Sequence, residues 1–386
     1  MKQTFLAIAV MGAFAGSAMA ADVTLYGLVD YGFNYQHRDL NNLDLEAKDS
    51  FEMRSGMNSG SRFGLKGTED LGNGLKVGFV LENGFNADDG TLGNGGRLFG
   101  RESQVYLQGN FGTLSFGRVG QFASANGSYG LLGKASPFSG GWGDSVGAKF
   151  VFATGYERMD NTITYVTPEF AGFKVHAQYS FKNDVKNDVG DEGKSNANRY
   201  YALAATYETQ NLYLVGIVDS INFGDFENAY IGDGNPEDDS LTVTLGGNYD
   251  FGVAKLYALG QYFKNVNGIG QKAIDGSNNW LAPGYTLDSA TNTWEGYGLT
   301  MGVGVPAFGG TAKASIGYMD AESSEDVGDT FAKGEINRWN LSVGYDYSLS
   351  KRTSVYTAAA YQRDDVNYYE NDASSIEFMA GMIHKF

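Results

Sequence analysis

The chain has 386 residues, 45 acidic and 28 basic side chains, a net charge of −17, 3 His and no Cys. The lack of Cys excludes a disulfide framework, a thiolate zinc site and a Cys nucleophile, and so few His leave little for a His-based metal centre. The acidic excess argues against nucleic-acid binding, because phosphates must be met by a basic surface. With 14% aromatic residues and 55 Gly, the composition favours antiparallel sheet with tight turns over disorder.

Residues 1–20 are predicted to be a secretory signal peptide. One lysine near the start precedes a short apolar run over 5–14, and Ala18 and Ala20 form an A-x-A cleavage site. The alternative is a single membrane anchor, which needs an apolar run of roughly 20 residues. We therefore expect an exported protein with one mature domain at residues 21–386.

The mature chain repeats a period of two. In segment 22–36 the odd positions from Val23 to Tyr35 are mostly apolar, and the polar side chains fall on even positions. This alternation is typical of a membrane barrel strand. Sixteen such strands are predicted, at residues 22–36, 54–69, 75–85, 98–109, 113–121, 158–167, 172–182, 199–208, 212–220, 240–250, 254–264, 293–304, 311–320, 335–347, 352–362 and 374–386.

The connections between these strands alternate between short and long. Short ones include 70–74 and 110–112, and long ones include 37–53, 86–97 and 122–157. Short connections at one end and long ones at the other are typical of an outer-membrane barrel, with short periplasmic turns and long extracellular loops. A soluble exported β-sandwich or barrel is the alternative, with the apolar parity inward. Because about eight strands fill a barrel and sixteen leave a lumen, we expect an all-β, 16-stranded antiparallel transmembrane β-barrel.

Several motifs in order along the mature chain resemble the general diffusion porins of Gram-negative outer membranes, most closely the betaproteobacterial type. They are Asp22–Gly27, Ser61–Leu75, Phe111–Arg118, Asn161–Tyr165 with Pro168, Phe170, Gly172 and Phe173, and His384–Phe386. The resemblance implies a homotrimer of 16-stranded barrels whose third long loop folds into the lumen. It also implies that Phe386 is read by the barrel assembly machinery. The simpler alternative is that Phe386 is the last lipid-facing residue.

Arg62 and Lys66 share a parity opposite Phe63 and Leu65, so the alternation directs both basic side chains toward the lumen. The resemblance implies that Arg62 belongs to a basic cluster at the pore constriction. Alternatively, Arg62 stays solvated at the rim or binds lipopolysaccharide.

Three further arginines are candidates. Arg101 and Arg158 match the family's other constriction positions by their places before the fourth and sixth predicted strands. The pattern is weaker at Arg101, because Glu102 and Gln104 would occupy the opposite, exterior parity. Arg118 ends the fifth strand and is expected at the mouth of the lumen.

The third long loop, about 122–157, is too long for a simple hairpin connection. Its segment Ser136–Gly141, with Pro137 and Phe138, is similar to the tip of the porin constriction loop. Many porins carry acids there, whereas Asp144 is the only acid between positions 122 and 152. These three residues are predicted at the constriction. The alternative is an extracellular lid that does not enter the lumen.

These expectations combine into a passive channel for small hydrophilic solutes and ions in the outer membrane of a Gram-negative bacterium. The basic cluster predicts a weak anion preference, because a narrow passage amplifies the sign that prevails there. Acids such as Asp364 and Asp365 are expected in outer loops, either solvated or binding Ca²⁺. No cofactor, metal, nucleic acid or enzymatic site is expected; the partners are lipid, lipopolysaccharide and other subunits. A surface adhesin or structural barrel is the alternative function.

Overall fold

A computed structural model describes residues 23–39, 47–153, 158–186, 190–224, 238–266, 268–270, 293–326, 333–366 and 372–386. The predicted signal peptide at residues 1–20 lies outside the described residues, as do positions 154–157 of the predicted third loop.

The described chain is almost entirely β-structure. Its helical structure there amounts to three 3₁₀ turns, and none of its helices has the length and apolar character to cross a membrane. The strands are β1 Thr24–Asp39, β2 Lys48–Ser55, β3 Arg62–Gly72, β4 Leu75–Gly84, β5 Glu102–Gly109, β6 Gly112–Gly120, β7 Arg158–Val166, β8 Phe173–Ser180, β9 Arg199–Glu208, β10 Leu212–Asn222, β11 Leu241–Asp250, β12 Lys255–Val266, β13 Trp294–Ala307, β14 Gly310–Asp326, β15 Lys333–Ser348, β16 Thr353–Val366 and β17 Ala373–Lys385.

The strands form one closed antiparallel sheet. From β3 onward each strand pairs with the next, and β17 pairs with β1. Both β2 and β3 pair with β1 and occupy one position, so seventeen strands make a sixteen-stranded barrel, as predicted. At the seam, the Gly27 N–H donates to the Phe386 carbonyl at 3.2 Å and the Phe386 N–H donates to the Gly27 carbonyl at 3.0 Å.

The two side-chain rows of β1 face opposite sides of the wall. Asp30 and Asn34 are buried on the inner face, whereas Leu25 and Phe33 are 62% and 49% exposed on the outer face. Exposed apolar side chains repeat around the outer wall, where lipid takes the place of water. The predicted direction of the two rows is confirmed.

Short turns join the strands at one end of the barrel. In the β3–β4 hairpin, Asn73 and Gly74 both have positive φ, at 53° and 77°. A two-residue loop with two positive φ angles matches the right-handed twist of the strands it joins. The Asn-Gly pair therefore explains why this connection is so short.

The second predicted strand, at 54–69, is interrupted in the structure. β2 ends at Ser55 and β3 begins at Arg62, and residues 56–61 stand opposite only Val29 and Asp30 of β1. The extra residues cannot stay in the plane of the sheet, so they leave the wall as a bulge. We call residues 56–61 the inward bulge, because residues 56–60 line the lumen.

Residues 121–153, the inner loop, lie against the inner face of the barrel. The Ala153 N–H donates to Gln261 Oε1 at 2.8 Å, and the Gly147 N–H donates to Ser342 Oγ at 3.0 Å. Both acceptors belong to the buried inner row of their strands. The loop therefore occupies part of the lumen.

Candidate functional site

The inner loop is held to one side of the lumen by an apolar core. Phe152 and Leu132 are fully buried and belong to one cluster with Ile217 and Leu259 of the opposing wall. Burial of each such side chain contributes about 1.5–3 kcal/mol. The loop thus covers an apolar strip that water would otherwise meet.

Pro137 and Phe138 pack on the wall beyond that core, and Phe138 belongs to a second apolar cluster with Trp142 and Tyr356. The ring of Phe138 is fully buried and meets the Trp142 ring edge-on, with centroids 5.1 Å apart. Pro137 packs on Gly302 of β13, where a Cβ atom would stand 2.7 Å from the proline ring. Both residues seat the loop against the wall, outside the lining of the open cavity.

A buried ion pair adds a polar anchor. Arg338 of β15 donates to both oxygens of Asp364 at 2.6 Å, and its Nη1 donates to the Phe150 carbonyl of the inner loop at 2.8 Å. The sequence predicts Asp364 in an outer loop, but it lies in β16, is 2% exposed and faces the lumen. The strand is longer than its pattern indicates, because this acid is satisfied by Arg338 rather than by water.

The first arm of the loop contacts β5. The Ser128 N–H donates to Glu102 Oε2 at 3.1 Å, and the Tyr129 hydroxyl donates to Gln104 Oε1 at 3.2 Å. Burial raises the pKa of Tyr129 to about 12, so this hydroxyl remains a donor across the physiological range. Glu102 and Gln104 therefore face inward, and the exterior placement that weakened the Arg101 prediction was wrong.

The uncovered part of the lumen contains a cavity of about 450 Å³. It is lined by residues 56–60 of the inward bulge, by the inner loop at 125–126, 139–141 and 143, and by basic side chains. Those side chains are Arg54, Arg62, Arg101, Lys149 and Arg158. The sequence predicts Arg62, Arg101 and Arg158 at the constriction, and the structure brings these three together at this cavity.

Hydrogen bonds fix the arginines. Arg101 Nε donates to Glu82 Oε1 at 2.7 Å, and Arg62 Nη1 lies 3.8 Å from the same oxygen. Arg158 Nε donates to the Arg101 carbonyl at 2.8 Å. Arg101 precedes β5 and is not bound by its alternation, so both Arg101 and Glu102 can point inward. The three guanidinium groups are thus held as a preorganised basic cluster.

The inner loop contributes a cation from the facing side. The Lys149 ammonium lies 4.8 Å from the centroid of the Phe150 ring and 3.4 Å from the Gly143 carbonyl. The cavity therefore has basic groups on two sides. In the part of the chain that is described, no carboxylate belongs to its lining.

Asp144 lies beside the cavity rather than in its lining. It accepts two hydrogen bonds from Arg54, both at 2.7 Å, and its oxygen is 3.8 Å from Arg38. The Asp144 N–H is shared between the two oxygens of Glu377, at 3.1 and 3.0 Å. Asp144 therefore holds the tip of the loop to the wall.

Lys66 and Arg118 lie apart from the cavity lining. The Lys66 ammonium lies 5.1 Å from the centre of the Tyr26 ring, lower on the inner face of β3. Arg118 pairs with Asp160 at 2.6 Å and donates to the Gly100 carbonyl at 2.8 Å.

Arg54 is a lining residue that the sequence analysis does not identify. Phe51 and Met53 on the opposite parity are the signal that could have found it. The sequence predicts a loop over 37–53, whereas β2 already begins at Lys48, so the alternation that directs Arg54 inward starts before the predicted strand.

Among the described residues, no group of three or more His, Asp or Glu side chains is placed to hold a metal ion. The carboxylates near the cavity are bonded to arginines or to backbone N–H groups. The arrangement is suited to attracting a solute by charge rather than to transforming it.

A closed sixteen-stranded barrel with an apolar outer wall and a narrowed polar lumen defines a channel protein of the outer membrane. The family model for Gram-negative porins matches residues 7–367, and the chain belongs to this family. Over the full length of both chains, it is 33% identical to an outer membrane porin protein of Bordetella pertussis. It is 32% identical to outer membrane porin protein 32 of Delftia acidovorans, over 98% of this chain and 93% of that one.

The structure is similar to that of an anion-selective porin from Comamonas acidovorans. The TM-score is 0.65 and the identity 25%, over 95% of this chain and 100% of the other. These relatives are channel proteins rather than enzymes. The predicted function is confirmed: the chain forms a diffusion channel for small solutes in the outer membrane of a Gram-negative bacterium.

Proposed function

We propose that the channel prefers anions weakly, and that the cavity between the inward bulge and the inner loop is its constriction. The observation that carries this is the set of basic groups on two facing sides of one narrow passage. A solute that sheds part of its water there meets fixed positive charge at short range, where the field is strongest. The similar anion-selective porin from Comamonas acidovorans supports the same sign.

Within this site the roles differ. Arg62, Arg101 and Arg158 form the charged wall that a passing anion meets. Lys66 adds positive charge along the lumen outside the cavity, and Arg118 contributes less there because it is paired with Asp160. Pro137, Phe138 and Asp144 set the width of the passage, because each fixes the inner loop to the wall.

The reversal potential across a planar bilayer tests the proposal. With purified channel in a gradient of potassium chloride, the sign of the potential should indicate that chloride is more permeant than potassium. A potential of the opposite sign would overturn the anion preference. Repeating the measurement with the same concentration ratio at high salt is a control. The fixed charges are then screened within a few ångströms, so the anion preference should be smaller.

The mature protein is further proposed to be a homotrimer, made from a precursor whose residues 1–20 are removed on export. Outward aromatic side chains near the seam support contact between subunits: the rings of Phe33 and Phe51 stack 5.8 Å apart on the outer face. The half-exposed ring of Phe386 at the edge of β17 is suited to recognition by the barrel assembly machinery. The remaining outer wall meets lipid and lipopolysaccharide.

Single-channel recording tests the trimer. A trimer inserts as one unit, so its conductance should rise and close in steps that group in threes. Independent single steps would contradict it.

A further inference from the structure

We propose that Asp30 is a positioning residue for the constriction, because its carboxylate holds the inward bulge in the lumen. This rests on the constriction proposed above and adds a second structural element to it besides the inner loop. Asp30 lies on the inner row of β1, opposite the bulge, and is completely buried.

Three donors converge on the Asp30 carboxylate. Its Oδ2 accepts the N–H of Asn58 at 2.8 Å and the N–H of Ser59 at 2.7 Å. Its Oδ1 accepts the hydroxyl of Tyr356, from β16, at 2.7 Å. Backbone N–H groups in a bulge have no partners in the sheet, so a buried carboxylate satisfies donors that the fold would otherwise leave unpaired.

The backbone of Asp30 secures the two ends of the same bulge. Its carbonyl accepts the Gly56 N–H at 2.9 Å and the Ser61 hydroxyl at 3.1 Å. Gly56 has φ of +71°, a conformation that turns the chain out of the strand at little cost for glycine. The ends are therefore fixed by the backbone carbonyl of Asp30, while the middle of the bulge is fixed by its side chain.

The bulge in turn positions Arg62 of the basic cluster. Arg62 Nε donates to the Gly60 carbonyl at 2.8 Å, and Arg62 Nη2 donates to the Ser59 hydroxyl at 2.9 Å. A bulge that loses its place would release the guanidinium from both contacts.

The bulge also passes the constraint to the inner loop. The Gly143 N–H donates to the Met57 carbonyl at 2.8 Å, so the tip of the inner loop is bonded directly to the bulge. One buried carboxylate thus positions both Arg62 and the tip of the inner loop, on two sides of the passage.

Two substitutions separate the position of the bulge from the charge of Asp30. Both Asp30→Asn and Asp30→Ala remove the negative charge. The Asn side chain keeps one oxygen that can accept from Asn58 and Ser59, and its amide can donate to the Tyr356 hydroxyl. The Ala side chain keeps neither interaction. Any difference between the two variants therefore reports position, not charge.

The mobility of a spin label in the bulge reports the position of the bulge and does not respond to a change in charge alone. The chain has no Cys, so Asn58→Cys introduces a single labelling site and keeps the backbone N–H bonded to Asp30. The electron paramagnetic resonance spectrum of the nitroxide should be that of an immobile label when position 30 is unaltered or carries Asp30→Asn, and that of a mobile label with Asp30→Ala. Single-channel conductance of the unlabelled Asp30→Ala protein should rise roughly twofold and spread over a wider range, since the narrowest section sets the current.

Equal label mobility and equal conductance in the Asp30→Asn and Asp30→Ala variants would overturn the proposal. Heat-modifiable mobility on gels selects folded barrels for both measurements. If Asp30→Ala does not fold, Tyr356→Phe removes one of the three donors and should loosen the label detectably; an unchanged spectrum would count against the proposal. Failure here leaves the reversal potential unaffected, so the two proposals can fail separately.

Discussion

Two parts of the same inner wall have opposite characters. Along β10, the inward side chains Tyr213, Val215 and Ile217 are apolar and buried under the inner loop. Around the open cavity, the inward side chains Arg62 and Arg158 are basic and line the passage. The comparison teaches that the inner row follows what covers it: under the loop it is apolar, or polar only where a side chain bonds the loop backbone, as Ser342 does. In β10, which the loop covers, the strand is apolar on both faces.

The covered part and the open part have different tasks. The apolar strip and the Arg338–Asp364 pair hold the loop. The basic cluster acts on the solute. Stability and selectivity should therefore respond to different substitutions, and the following predictions, in order of expected size, test that separation.

Breaking the buried ion pair should have the largest effect. Arg338→Ala leaves Asp364 charged and unpaired in a site that is 2% exposed. Removal of one partner of a buried pair typically costs about 3–5 kcal/mol, whereas replacing both by apolar residues is near neutral. Urea unfolding of the refolded protein should show this loss for Arg338→Ala and recovery for the double variant Arg338→Leu with Asp364→Leu. Equal stability of the single and double variants would contradict it.

The second-largest effect should be a difference in stability between substitutions on the two faces of β10. Ile217→Ala removes a fully buried side chain from the core under the loop, with an expected loss of roughly 2–5 kcal/mol. Val218→Ala is the matched control, since Val218 is 48% exposed on the outer face. The same urea measurement should give a clearly smaller loss for Val218→Ala. A larger loss on the outer face would mean that the inner loop adds little to stability.

Charge reversal in the open part should alter selectivity without unfolding. Arg62→Glu should shift the reversal potential toward cations, by on the order of 1 kcal/mol in total or about fivefold in the permeability ratio. Lys66→Glu makes the same charge change outside the cavity lining and should shift the ratio less. If the two variants shift it equally, Arg62 has no special place in the passage.

An exposed ion pair at the foot of the inner loop should matter least. Lys134 Nζ bonds Glu208 at 2.6 Å, but both side chains are largely exposed. Such pairs contribute about 0–1 kcal/mol. Lys134→Ala should therefore leave the urea midpoint and the conductance close to those of the unaltered protein. A strong effect on conductance would assign the inner loop a second attachment that controls the pore.

The fold was predictable because lipid imposes a strict period of two. In β1 and β17 every second side chain must be apolar, and the predicted strands there match the structure within a few residues. Arg62 was directed inward by the same alternation. The terminal segment carried the same information: Ile376 and Phe378 are outward while Glu377 between them is buried.

Departures from the pattern arose where a second layer covers the wall or the chain leaves it. The inward bulge changes the local path without changing composition, so the alternation places Asp30 on the inner row but does not show that it bonds the bulge. The inner row of β10 is apolar because of residues about 70–90 positions earlier in the chain, such as Leu131, whose carbonyl accepts from Tyr213. Such pairings depend on tertiary contact, which local periodicity does not contain.

The seam between β1 and β17 joins Gly27 to Phe386, positions separated by nearly the whole sequence. Contacts of such separation form late, because the entropy of closing a very long loop must be met before any bond is gained. Closure of the ring is thus a kinetic event of the complete sheet, and until it happens two open strand edges are available to other chains. Conditions that slow this final step should favour aggregation over insertion.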